Sequence, residues 1–225
     1  MDIFILTLIA WIIFFVIGYM ILKTLLKAIF FAGIIFVVLA IIISAMLLYD
    51  IRDIQNNFQK SPKLMLIESN SEVSSAFISG ESASIVNAAD LDVLTGKLKT
   101  KEYKSMLGQN YKLIIYSLPL IQGMDNFSLE IAKTSFDRDE IVKIMQNEGK
   151  AKYWSDKLYI PDYHQLRAAI FSELIARKLT GPSNLLVFID GLKSGGIIVY
   201  PETIYFKIIK LVPTYLIKDR IKAIS

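Results

Sequence analysis

Cysteine is absent from the 225-residue chain. That excludes disulfides, thiolate metal sites, iron–sulfur clusters and a cysteine nucleophile. Histidine occurs once, at His164, so an imidazole general base has a single possible identity and a multi-histidine metal site has none. Charge is almost missing from the first 49 residues, where only Asp2, Lys23 and Lys27 carry any. Residues 50–225 carry the other 23 basic and 20 acidic side chains, a net charge of 23 − 20 = +3. No concentrated basic surface or recognition signature accompanies that small excess, so a nucleic-acid partner is not expected. Internal repeats and low-complexity tracts are also missing. No EF-hand spacing occurs, and the acids of "DRDE" and "DLD" read as helix-start residues favoured by the helix dipole. No metal and no cofactor are expected.

What the charge-poor segment contains is bilayer-length apolar sequence. Residues 3–22 and 28–49 each match the roughly 20 apolar residues that cross a hydrocarbon core of about 30 Å. One straight helix over 3–49 would run about 70 Å at 1.5 Å per residue. The expectation is therefore a two-helix transmembrane hairpin turning at "KTLLK", with Lys23 and Lys27 snorkelling at an interface. The connection holds no Gly, Pro, Asn or Asp, and the two lysines share one helix face, so a bent, partly interfacial helix pair is the second reading. A cleaved signal peptide is not expected: Asp2 replaces the basic n-region and no A-x-A pattern follows. The soluble part is weakly placed on the cytoplasmic side, because Arg52, Lys60 and Lys63 outnumber the two loop lysines.

Residues 50–62 read as a helical stalk ended by Ser61-Pro62, and residues 63–200 as a mixed α+β domain. "KLMLIE" and "EVSSAFIS" form a predicted hairpin around "SNS". Asn87 caps a helix over 88–95 stopped by Gly96, and Thr100 caps another over 101–107 stopped by Gly108. "YKLIIYSL" and "FSLEIAK" read as strands. "FDRDEI" carries a capping box from Asp137 to Glu140, with Phe136 and Ile141 placed as a hydrophobic staple, and Gly149 as the stop. A helix follows Pro161-Asp162 and runs to Gly181-Pro182. Residues 183–194 are assigned helix and "IIVY" (197–200) strand. The fold class is α+β.

"GESAS" (80–84) resembles the nucleophile elbow of the carboxylesterases in the α/β-hydrolase family, where Gly-Glu-Ser-Ala-Gly raises a serine on a tight strand–turn–helix corner. The resemblance covers five residues. It implies Ser82 as nucleophile and His164 as base, with Asp125, Asp137 or Asp156 as the acid. Ser84 stands where the family has its last glycine. "GLKSGG" (191–196) lacks the G-x-G-x-x-G order and reads as a helix stop leading into a strand.

The C-terminal 201–225 segment reads as an amphipathic basic helix, kinked at Pro213. Lys207, Lys210, Lys218 and Lys222 share its polar face, while Ile204, Ile208, Leu211 and Tyr215 fall on the apolar one. On a tethered domain that pattern suits an interfacial helix. The expectation is an integral membrane protein of the cell membrane, acting as a non-enzymatic binding or scaffold module. Its partners are the bilayer and other membrane proteins or further copies of itself. The alternatives are an anchored serine hydrolase using Ser82 and His164, and a subunit of a larger membrane complex or pore.

Overall fold

The computed structural model describes residues 3–58, 60–80, 84–179 and 185–215. It divides into two compact units, residues 1–49 and 50–225. The first is part of helix α1, which runs unbroken from Ile3 to Asn57. The hairpin expected at "KTLLK" is therefore corrected to one continuous helix. Leu25, Leu26 and Ala28 are strong helix formers, no residue there breaks the ladder, and the Thr24 hydroxyl donates to the Met20 carbonyl at 2.9 Å within it. Every residue from 11 to 46 is exposed, on all sides of the helix.

The second unit is a mixed α+β domain built on a five-stranded sheet in the order β3-β2-β1-β4-β7. Strands β1 (Lys63–Ser69) and β2 (Glu72–Ser79) form the expected hairpin. Its two-residue loop puts Asn70 and Ser71 at φ of +53° and +64°, the double left-handed turn that matches strand twist. β3 (Ser84–Ile85) extends that edge antiparallel to β2. Helices α2 (Ala88–Lys99) and α3 (Tyr103–Leu107) lead into β4 (Lys112–Ser117), which lies parallel to β1 with Lys63 opposite Lys112. α4 (Leu118–Gln122) follows directly. A separate hairpin, β5 (Ser128–Ile131) and β6 (Thr134–Asp137), precedes α5 (Arg138–Gln146), α6 (Glu148–Lys157) and α7 (Tyr163–Leu174). A π-helical turn extends α7 to Leu179. Then come α8 (Leu185–Ser194), β7 (Ile197–Tyr200), antiparallel to β4, and α9 (Ile204–Leu211).

β1 and β4 are buried on both faces, which is why "LMLI" and "LIIY" do not alternate. Leu64, Leu66, Leu113 and Ile115 meet Leu91, Leu94, Leu98 and Met106 of α2 and α3. Met65, Ile67, Ile114 and Tyr116 face the larger core, with Ile141, Leu166, Ile170 and Phe171.

The caps follow the sequence closely. The side chains of Asn87, Asp137 and Asp162 accept from the backbone amides of Asp90, Glu140 and His164. Two expected stops differ. Gly96 lies inside α2, which ends at Lys99, and Gly149 lies in the first turn of α6. Asn147, at φ −119° and ψ 117°, breaks the helix instead and caps the next one through its side chain. Thr100 closes α2 rather than opening α3.

Candidate functional site

Two constructions in the domain hold polar groups in place. The first is a junction between the end of α1 and one end of the sheet. Lys63 and Lys112 sit side by side on the larger-core face, both almost fully buried. Lys63 Nζ donates to the carbonyl oxygens of Phe58 (2.5 Å) and Ser61 (3.0 Å), in the turn that follows α1. Lys112 Nζ donates to the Pro201 carbonyl at 2.9 Å. The Tyr111 hydroxyl and the Asn57 amide both donate to the Asp53 carboxylate, and the Tyr205 amide donates to Asp50 at 3.3 Å.

The electrostatics follow from these contacts. The Tyr111 hydrogen bond, helped by Asn57 and the charge of Lys112, holds the Asp53 carboxyl below its ordinary range against the opposing effect of burial. Burial, with that same bond, pushes the Tyr111 phenol up. Burial lowers Lys63 and Lys112, and in Lys112 the charges of Asp53 and Asp50 work against the shift. These bonds tie the end of α1 to the heads of β1 and β4 and to the start of α9.

The second construction is a cleft of about 570 Å³ beyond the end of β4. Leu120, Met124, Phe127 and Val187 make an apolar floor, and Asp125, Asp190 and Lys178 bring charge to it. Leu118 and Ile121, fully buried, hold α4 under one wall. Arg138 straps the 123–127 loop: its guanidinium donates to the Met124 carbonyl at 2.6 Å and its amide to the Phe127 carbonyl at 3.0 Å. Lys178 Nζ lies 5.5 Å from the centroid of the Phe127 ring, a cation–π distance. A side pocket of about 350 Å³ shares Pro119 and Leu120 and reaches Ser194, Gly195 and Gly196. "GLKSGG" is thus a helix end turning into β7, with Gly195 at φ +78°.

Ser82 lies outside the described residues. His164 sits on the first turn of α7, its backbone amide held by Asp162 and its ring 4.0 Å from the Tyr163 centroid. Its Nδ1 is buried and, among the described residues, makes no hydrogen bond and meets no carboxylate of the kind a triad requires. The cleft that borders Ser84 and Ile85 is closed by Ala168, Ala169 and Ser172, and His164 does not line it. Lys23 and Lys27 are exposed on α1, and Lys207 and Lys210 on α9. Lys218 and Lys222 lie outside the described residues. Among the described residues no group of three or more histidine, aspartate or glutamate side chains is placed to hold a metal ion. Sequence reading missed Lys63, Lys112 and Arg138. The one available signal was that "KL" heads both apolar runs that became β1 and β4.

Compared with family models, curated proteins and solved structures, the chain matches none.

Proposed function

We propose that the chain is a membrane-anchored, non-enzymatic binding module of the cell membrane. α1 is the anchor, and the cleft beside α4 and α8 receives the partner. The observation that carries this reading is the surface of α1. Residues 11–46 are apolar on every side apart from Lys23, Thr24, Lys27 and Ser44, and none is buried. A helix of that kind is stable only in a non-aqueous surrounding. Residues 28–49, contiguous with the domain, make a bilayer-length window of 22 residues.

The experiment is alkaline carbonate extraction of membranes containing the full-length chain, followed by site-specific photo-crosslinking in the same membranes. Retention in the pellet is expected; release into the supernatant refutes the anchor. A photo-reactive residue replacing Val187 in the cleft should give a discrete adduct that one replacing exposed Tyr159 does not. Equal behaviour at the two positions refutes the cleft as the binding site.

A further inference from the structure

α9 has two faces that the domain treats differently. Phe206 is 4% exposed, and Tyr205 and Ile209 pack with it on the larger core. Ile204 and Ile208, both half-buried, and the exposed Leu211, three and four residues apart, take no place in that core. Leu211 is 82% exposed, and Tyr215, just past Pro213, is 64% exposed. Lys207 and Lys210 flank this outward stripe; Lys210 is paired with Glu202 at 2.5 Å, and Lys207 makes no ion pair among the described residues. The end of the segment is fixed in place: Lys193 Nζ donates to the Val212 carbonyl and to the Thr214 hydroxyl.

We propose that this outward face of α9 rests on the lipid surface, with Leu211 and Tyr215 in the headgroup boundary and Lys207 toward anionic headgroups. The proposal rests on α1 being a membrane anchor. Three observations select lipid as the occupant. The amide of Tyr205, in the first turn of α9, is bonded to Asp50, the residue that directly follows the apolar run. Tyr49, immediately before it, is 74% exposed, where an interfacial tyrosine belongs. An apolar stripe flanked by a lysine that makes no ion pair among the described residues is the pattern such a surface takes.

The chain has no cysteine, so single cysteines can be placed without a background. Full-length variants Leu211→Cys, Ile35→Cys and Tyr159→Cys, each with an environment-sensitive fluorophore, are reconstituted into vesicles of mixed phosphatidylcholine and phosphatidylglycerol. The label at 211 should be quenched by a nitroxide carried near the lipid headgroup, and should show several-fold weaker iodide quenching than the label at 159. Lys207→Glu should reduce the lipid quenching at 211. If the label at 211 is as open to iodide as that at 159 while the one at 35 reports acyl chains, this inference fails and the anchor stands. If the label at 35 is open to iodide, the anchor itself fails. Shielding of 211 from iodide without lipid quenching would mean a protein partner covers the face, and would equally overturn the proposal.

Discussion

Gly96 and Gly191 are both helical glycines, and the same substitution at each should move stability in different directions. In a helix interior alanine is favoured over glycine by about 0.8–1.0 kcal/mol. Gly96 is exposed in α2, and an added Cβ would meet no atom within 4 Å, so that gain is realised in full. Gly191 is in α8, where the Cβ would lie 2.6 Å and 2.7 Å from Cδ1 and Cγ1 of Ile197 and 3.2 Å from Cδ2 of Leu120. Ile197 is buried in β7 and cannot swing into solvent. Overpacking of this kind costs about 1–3 kcal/mol, enough to cancel or exceed the propensity gain. Gly96→Ala should therefore raise the melting temperature of the domain by about 2–4 °C, and Gly191→Ala should leave it unchanged or lower it by a similar amount. The assay is thermal unfolding of the full-length chain in detergent, followed through the near-ultraviolet signal of Trp154 in a Trp11→Phe background. Trp154 suits it because its ring is stacked edge-on against Phe136 and its indole donates to Glu140 at 2.6 Å. In a double-mutant cycle, Ile197→Ala should cost less beside Gly191→Ala than alone, with a coupling above about 0.5 kcal/mol. Equal gains at the two glycines, or no coupling, would refute the packing of α8 on β7.

Lys112→Met keeps the buried stem but strands the Pro201 carbonyl and removes a cation beside Asp53; it should destabilise the domain by about 1–3 kcal/mol, and a neutral or stabilising result in the same melt would show that the junction is not formed. Burial pushes the Tyr116 phenol well above its ordinary value of 10.0. Tyr116 therefore favours folding while protonated, a contribution fully present below pH 10 and lost as pH rises beyond it, where the unfolded chain alone gives up the proton. Tyr116→Phe should flatten that alkaline loss in a pH series of melts, and an unchanged slope would remove Tyr116 as its source.

The parts of this fold that were legible in the sequence are those decided within a few residues. Asn87, Asp137 and Asp162 cap helices because an acceptor side chain next to free amides acts locally, whatever packs around it. The β1–β2 hairpin was equally local. Gly96 and Gly149 misled because glycine permits a stop without imposing one. At Gly149 the chain was broken two residues earlier by Asn147, whose extended backbone and side-chain cap do both jobs. The parallel pairing of β1 with β4 joins residues about fifty apart and left no local trace. With it went the burial of Lys63 and Lys112, which at the head of a strand look like solvated charges. The cleft was hidden for the same reason: its wall depends on Arg138 reaching back to Met124. The stripe on α9 was readable as periodicity, but which face the core would leave uncovered was not.

On the proposed reading of α1 as a membrane anchor, its continuity changes what a helix of this length demands. Forty-seven apolar-run residues as one helix extend about 70 Å, and no tilt within the usual 0–40° fits that into a core of about 30 Å. If residues 28–49 span, Lys23 and Lys27 reach the far interface and residues 11–22 lie past it. That part exposes eleven large apolar or aromatic side chains, from Trp11 to Leu22. At about 1.5–3 kcal/mol each, leaving them in water costs roughly 17–33 kcal/mol. Drawing both lysines fully into lipid costs only about 5–7 kcal/mol, and snorkelling lowers that. Exposure to water is the costlier outcome, so the first half of α1 must find apolar cover that one crossing of the bilayer does not supply. Another apolar helix is the cover that satisfies it, and a second copy brings an identical one. In native membranes, single cysteines at Ile13, Phe14, Phe15 and Val16 should include positions that give disulfide-linked dimers on mild oxidation. Failure at all four, which together span one helical turn, would refute self-association through this half of α1.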